Sequence, residues 1–357
     1  MTTLQSESWS VIQPVRDGNT LFGFIAIHRG NKTHPAFGAT RIVDYPTESA
    51  ALHDVLNLSS LMSQKAALAD IAYGGGKGVL FDGPHMKTKV GREHALRVYA
   101  KHVNQLGGKF ITGSDAGVTQ ADVDYMGQHS SHIVGLKEDP TMHTAQGLLH
   151  ALEVVAEEIN GTNDLSQLRI AIQGVGKVGH ALLDVLSPKV AHIIIADINA
   201  GKVQETLKQY PNITAVSPEE ILFQEVDILI PCALGGVFTK DNIAHVSARA
   251  IVGSANNQLS EDIVGDILHE HNILYAPDYV VNAGGLISVV HEFEKHNDAE
   301  LLKKRVHGIK DELRYVIQKS KEEGISTHRV ASRTAEGKIN ALFAAEVVQV
   351  GAHHENI

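Results

Sequence analysis

The sequence predicts an α/β protein of two domains, one of them a doubly wound βαβ domain. Short apolar runs, "RIAIQG", "HIIIAD", "VDILIPC", "AIVGSA" and "NILYAP", recur at intervals suited to a parallel sheet, mostly separated by helical or turn segments. Glycines in a G-x-G-x-x-G spacing follow the first of these runs and open a helix-like stretch. At 357 residues the chain is also long for one core, given about 150 residues per domain.

Along the chain, "LFGFIAIH" (Leu21 to His28) is apolar and β-branched enough for a strand. Leu52, Val55 and Leu56 in "TESAALHDVLNLSSLMSQKAALA" fall at helical spacing, and Thr47 can cap that helix. "KFITGSD" ends a further strand, and "TQADVDYM" opens a helix behind Thr119. A second region begins near His143 with the amphipathic "TAQGLLHALEVVAEEI", a polar loop "NGTNDLSQ", and then the five apolar runs. From about Gly284 the chain reads as helical. The expected domains are 1–142 and 143–327, with helices of about 328–350 packing back on the first. No repeat period is present.

Composition narrows the function classes. The apolar share is 43% and the charged share 20%, and no uncharged apolar run approaches the roughly 20 residues of a membrane span. The start "MTTLQSESWSVIQPVRDG" lacks a basic segment followed by an apolar core, so no export signal is expected. Cys232 is the single cysteine, which excludes an intramolecular disulfide and suits a reducing cytoplasm. A net charge of −10 without a basic run argues against nucleic acid as a partner. The 21 histidines invite a metal, but "LHEH", "HEFEKH" and the tail His353–His354 lack the H-E-x-x-H spacing that sets two ligands on one helical face. No metal is expected.

The stretch "YGGGKGVLFDGP" places Lys77 behind three glycines. A phosphate loop would need glycine at 71 and serine or threonine at 78, where the chain has Ile71 and Gly78. A nucleotide-triphosphatase reading therefore fails.

The glycine triplet is Gly174, Gly176 and Gly179 in "RIAIQGVGKVGHALLDVL", with Lys177 and Val178 between the last two. Gly174 permits a tight turn, Gly176 lets the backbone approach a pyrophosphate at the helix N-terminus, and Gly179 allows close helix-to-strand packing. Asp197, followed by Ile198, ends the next strand at the distance of a ribose-binding acid. An acid there accepts from both ribose hydroxyls and repels a 2′-phosphate, which favours NAD over NADP; Lys202 lies close enough in sequence to leave some NADP tolerance.

A nucleotide domain leaves the substrate open. The pieces "PAFGATR", the two lysines Lys65 and Lys77 of K-x11-GGGK, "ITGSD", "PCALGG", "GSANNQL" and "APDYVVNAGGLI" follow in order from about Pro35 to Ile287. In these the chain resembles the glutamate/leucine/phenylalanine/valine dehydrogenase superfamily, nearest its leucine and phenylalanine branch. The resemblance implies a substrate-binding and oligomerisation domain, a Rossmann domain for NAD, and a cleft between them that closes to exclude water. It makes Lys77 the base, Lys65 the holder of the α-carboxylate, and Asp115 the residue exchanging a proton with the amino group. A hydride leaves Cα for the nicotinamide, water activated by Lys77 attacks the iminium, and the carbinolamine collapses to a 2-oxo acid and ammonia. Physically, close glycine packing desolvates Lys77, and a second cation at Lys65 disfavours its protonation, so both lower its pKa.

By the same resemblance Thr144 and Asn256 help hold the nicotinamide or the carboxylate, Cys232 and Ala233 line the nucleotide side, and Asn282 lies nearby. The substrate side chain meets Phe37 with Gly38, Gly113, Leu286 and Val289. None of these is a lysine or serine for a second carboxylate, so glutamate is disfavoured. Gly113 stands for an expected alanine and makes room, whereas Phe37 takes room or offers a stacking face. Branched-chain amino acids rank first and aromatic ones second, since "PAFGATR" and "FITGSD" also look like the tryptophan-oxidising relatives.

Plainer readings compete. Lys65 alone is a solvated helix-end lysine, Asp115 a turn cap, Cys232 a small buried residue, and Thr144 the cap of the helix after it. A 2-hydroxy acid dehydrogenase would want a histidine base and a carboxylate-binding arginine, which cannot be placed. A catalytically silent NAD-binding sensor would be marked by loss of Lys77 or Asp115, and both are present.

Overall fold

The structure, a computed structural model, describes residues 9–136, 139–233 and 235–351, with side chains of the last helix up to 344. The first eight residues of the expected non-signal start and the His353–His354 pair lie outside the described residues. Contacts divide the chain into two compact units: Met1–Asp139 with Val289–His296 and Ala335–Ile357, and Pro140–Ser288 with Asn297–Thr334. The second is therefore not the continuous 143–327 of the sequence reading, because residues 289–296 group with the first unit. Among the described residues no helix is long and apolar enough to cross a membrane.

The first unit holds β1 (Val11–Asp17), β2 (Thr20–Arg29), β3 (Ala36–Phe37), β4 (Thr40–Val43), α1 (Glu48–Leu68), β5 (Gly74–Phe81), α2 (Lys89–Gln105), β6 (Phe110–Ile111) and α3 (Gln120–Gly127). Its mixed sheet runs β1-β2-β5-β3-β6, with β4 also on β5. Alternation along β2 sends Ile25 and Ile27 into a core with Leu96, Tyr99 and Val103 of α2, and Ala26 to the opposite face against Ala51 and Val55 of α1. The sheet is thus covered on both faces. Thr47 caps α1 by accepting from the Ala50 amide at 3.1 Å, and Thr119 forms a reciprocal capping box with Asp122 at α3.

The glycine stretch is itself the central strand β5, buried from Gly74 to Leu80. Its glycines are required by proximity. A Cβ on Gly75 would lie 2.0 Å from the Ser63 amide nitrogen of α1, and one on Gly78 2.0 Å from the Tyr99 hydroxyl. Their absence brings the last turns of α1 onto the strand that carries Lys77.

The second unit opens with α4 (Thr141–Asn160), then β7 (Arg169–Gln173), α5 (Lys177–Leu186), β8 (His192–Ala196), α6 (Ala200–Gln209), β9 (Ile213–Ala215), β10 (Ile228–Pro231), β11 (Ala250–Val252), α7 (Asp262–Glu270), β12 (Leu274–Ala276) and α8 (Asp278–Val281). The helices α9 (Gly284–Phe293), α10 (Ala299–His307), α11 (Ile309–Glu323) and α12 (Thr327–Gly351) follow. The sheet order β12-β11-β10-β7-β8-β9 is parallel throughout, a doubly wound arrangement. After β9 the chain returns to lay β10 beside β7, so the strand order reverses between those two. Their carboxyl ends carry Gly174 and Cys232.

Candidate active site

In the first unit, β5 and the loop after β6 bring Lys77 and Asp115 together. The Lys77 Nζ lies 2.6 Å from Asp115 Oδ2, with the lysine side chain 3% exposed. Burial is the largest influence on the amine and lowers its pKa; the Asp115 charge opposes this, and the Arg41 guanidinium adds to the lowering. For Asp115 burial pushes upward, but the charges of Lys77 and Arg41 outweigh it and hold the carboxyl well below the usual range. The half-buried Asp115 carboxylate also accepts from the backbone amide of Ala116, so it serves its own turn as well as pairing with Lys77.

Lys65 sits in the last turn of α1, half-buried. Arg41 of β4 is a cation on the Lys77–Asp115 pair, its Nε reaching Asp115 Oδ2 at 2.9 Å. Gly38 has no room for a side chain, since a Cβ would lie 1.9 Å from the Gly76 carbonyl oxygen. At Gly113 a Cβ would press to 3.1 Å on the Val134 carbonyl oxygen, so the missing methyl relieves the backbone as much as it opens space.

Phe37 corrects the sequence reading. Its ring is fully buried and offers no free stacking face. It packs on Tyr73 at 4.9 Å between centroids and edge-on to Phe293 at 5.1 Å, both half-buried. Sequence reasoning missed these two aromatics, although Tyr73 directly precedes the glycine run. On α9, Leu286 is buried and Val289 half-buried, three residues apart and so on neighbouring turns of one face.

In the second unit Gly174 takes a φ of +95° at the end of β7, a conformation that favours glycine. A Cβ on Gly179 would lie 2.1 Å from the Gly174 carbonyl oxygen, which seats α5 against the turn. Gly176 is the N-cap of α5, no side chain caps that end, and nothing lies within 4 Å of where its Cβ would stand. Lys177 is exposed and Val178 half-buried in the first turn. Asp197 accepts from the Val175 amide at 2.9 Å and from the Asn199 amide at 2.8 Å, tying the glycine turn to the end of β8. Ile198 beside it is an apolar side chain 92% exposed. Across the switch point, the Cys232 amide donates to the Gln173 carbonyl at 2.7 Å, burial pushes its thiol pKa up, and Ala233 is exposed.

Asn282, 5% exposed, donates through Nδ2 to the Ser254 carbonyl and to Asn256 Oδ1, each at 3.1 Å. Its own Oδ1 is buried with no hydrogen-bond partner among the described residues. A buried acceptor of this kind calls for a donor, and a carboxamide or ribose hydroxyl of a dinucleotide supplies one. Together with the uncapped helix end at Gly176 and the acid at Asp197, the residues present fit a nicotinamide dinucleotide. Thr144 is no helix cap: α4 begins at Thr141, Pro140 stands at the N-cap, and the Thr144 hydroxyl donates back to the Pro140 carbonyl at 3.3 Å. Its oxygen fills the space a Gly285 side chain would take, 2.7 Å from that Cβ position. No group of three or more potential metal ligands gathers among the described residues.

The chain is similar to known proteins over most of its length. Residues 192–355 match the family Glutamate/Leucine/Phenylalanine/Valine dehydrogenase, and residues 8–132 match the Glu/Leu/Phe/Val dehydrogenase, dimerisation domain. A leucine dehydrogenase of Bacillus cereus is 39% identical over 90% of this chain and 88% of its own. A phenylalanine dehydrogenase of Caldalkalibacillus thermarum is 36% identical over 91% of each. The crystal structure of L-tryptophan dehydrogenase from Nostoc punctiforme is similar with a TM-score of 0.74 at 39% identity, over 89% of this chain and 92% of that one. The chain therefore belongs to the glutamate/leucine/phenylalanine/valine dehydrogenase family, near its leucine and phenylalanine branch, and is an oxidoreductase acting on amino acids.

Proposed function

We propose that the protein catalyses the reversible, NAD-dependent oxidative deamination of a hydrophobic L-amino acid, branched-chain substrates first, to the 2-oxo acid and ammonia. The observation that carries this reading is the buried Lys77 amine 2.6 Å from the half-buried Asp115 carboxylate. A desolvated amine with a lowered pKa is a better general base than a free lysine, and its carboxylate partner is within proton-transfer reach.

The reaction consumes the amino acid, water and the oxidised cofactor, and yields the 2-oxo acid, ammonium, the reduced cofactor and a proton. When bound, the nicotinamide takes up the hydride that leaves Cα. Lys65 keeps its charge and holds the α-carboxylate. Lys77 removes a proton from the water that adds to the resulting iminium carbon. Asp115 takes a proton from the substrate ammonium before the hydride leaves and returns it to the departing nitrogen as the carbinolamine collapses, and the C–N bonding pair leaves with ammonia. The cofactor is assigned to Gly174, Gly176, Lys177, Val178, Gly179, Asp197, Ile198, Cys232 and Ala233, with Thr144, Asn256 and Asn282 toward its nicotinamide end. Asp197 favours NAD, having no positive charge to offer a 2′-phosphate. Phe37, Gly38, Gly113, Leu286 and Val289 are assigned to the substrate side.

A second reading, preference for phenylalanine or tryptophan, is favoured by the half-buried rings of Tyr73 and Phe293, which pack on the buried Phe37 and can present an edge or face to an aromatic side chain. The family description of the first unit as a dimerisation domain supports a homo-oligomer assembled through it. Reduction of NAD by the purified chain, with leucine, isoleucine, valine, phenylalanine, tryptophan, glutamate and alanine in turn, tests the proposal. Turnover is expected with the hydrophobic members and loss by about a hundredfold or more in Lys77→Ala. Turnover of glutamate alone would refute the substrate class, and a catalytically silent chain that still binds NAD would point to a sensor.

A further inference from the structure

The motif "PAFGATR" ends in Arg41, a residue to which the proposed reaction gives no task. Its guanidinium spans two carboxylates: Nε donates to Asp115 Oδ2 at 2.9 Å, and a terminal nitrogen reaches Asp54 Oδ2 on α1 at 3.3 Å. Tyr45, in the loop between β4 and α1, donates its hydroxyl to that same Asp54 oxygen at 2.6 Å. The Lys77 amine and Arg41 converge on one oxygen of Asp115. A chain of contacts thus runs from Tyr45 through Asp54 and Arg41 to the proposed proton-transfer pair, drawn from β4, its following loop, α1, β5 and the segment after β6.

We propose that Arg41, braced by Asp54 and Tyr45, is a positioning residue that pins Asp115 by Oδ2 and so presents its other oxygen to the amino group of the substrate. A lysine at this position could carry the charge but could not fork between two carboxylates, and an Asp115 held only by Lys77 and the Ala116 amide would lose part of the alignment that proton exchange with a substrate nitrogen needs. The inference rests on the proposed deamination. It also predicts an electrostatic signature. Of the charged groups acting most on Lys77, Asp115 and Asp54 favour its protonation and Arg41 opposes it. Those acting on Arg41 are Asp115, Asp54 and Tyr45.

The test is the pH profile of kcat/KM for oxidative deamination by the full chain and its variants. The acid limb reports protonation of Lys77, because the base must be neutral to act. Removing the cation in Arg41→Gln should move that limb to higher pH by about one unit and lower kcat by about a hundredfold. Removing the anion in Asp54→Asn should move it to lower pH. Arg41→Lys should leave the limb near that of the parent while kcat still falls, since the charge stays and the fork goes. Tyr45→Phe, which keeps the ring contact with Phe81, should fold and lower kcat severalfold, and it carries the test should Arg41→Gln fail to fold. Limbs that stay fixed, or that move the same way in Arg41→Gln and Asp54→Asn as general loosening would make them, overturn the positioning role while the parent remains active. A parent silent across the amino acid panel overturns the reaction and this inference with it.

Discussion

At the scale of single residues, competition between desolvation and charge decides what each titratable group does. Lys77 shows burial prevailing over an adjacent anion, and Asp115 shows two adjacent cations prevailing over burial. His28 gives a case without catalytic stakes. Burial first, then the charge of Arg29, pulls its pKa down to about 3, and its Nδ1 lies 2.9 Å from the Ser63 hydroxyl. The unfolded chain, with a histidine pKa of about 6.5, binds the proton that the folded chain refuses. Stability is therefore intact above about pH 6.5 and falls as the pH drops toward about 3, by at most ~1.4 kcal/mol per pH unit. Urea unfolding across that window should show the slope, and His28→Gln should flatten it; an equal slope in the variant would place the acid sensitivity elsewhere. At this scale Lys77 and Asp115 were picked out by the resemblance of their motifs to the family, and the structure brings those two together. Arg41 stood in a quoted motif, yet nothing in its spacing says that it folds back onto Asp115 across a sheet. Tyr73 and Phe293 were illegible for a related reason: their contact with Phe37 joins β3 to residues far along the chain.

At the scale of elements, the five parallel strands quoted from the sequence all form, because a buried parallel strand is a short apolar run between turns and reads as one. β5 was not readable as a strand, since glycines carry no side-chain period. β3 is two residues long, too short to leave a pattern, whereas the equally short β6 is the strand read from "KFITGSD"; β9 ends in exposed Thr214 and Ala215. In the second unit α5 is closely joined to the turn after β7. Gly179→Ala would force a methyl to 2.1 Å from the Gly174 carbonyl oxygen, and the turn or the helix must shift to admit it. The variant should lose NAD affinity by tenfold or more, an order of magnitude set by one displaced helix-terminal contact, together with some stability. Equilibrium dialysis against NAD reads this directly, and unchanged affinity would remove α5 from the cofactor site.

At the scale of the whole molecule, each unit carries its own apolar core, one around Ile25, Leu96 and Tyr99, the other around Leu229, Phe238 and Ile251. A cofactor held by the second unit should stabilise that unit by mass action, by about 2.7 kcal/mol at a hundredfold excess over Kd. Scanning calorimetry with NADH is expected to raise the transition of the second unit more than that of the first. Equal displacement of both would mean that the two cores melt as one cooperative body. The sequence separated these units near residue 140 because composition and strand rhythm change there. It could not show residues 289–296 joining the first unit, since a helix that passes from one body to another has no local mark.

The glycine strand has a further consequence, for how this protein can vary. Four neighbouring Cβ positions on β5 are already occupied: by the Arg29 carbonyl at Gly74, the α1 backbone at Gly75, the Phe110 ring at Gly76 and the Tyr99 hydroxyl at Gly78. In a saturation library of this chain, positions 74–76 and 78 should form a blank stripe in which even alanine is not recovered. Drift or directed selection toward new substrates is then channelled to the half-buried rings of Tyr73 and Phe293, which flank the stripe and can change size without forcing α1 off the sheet.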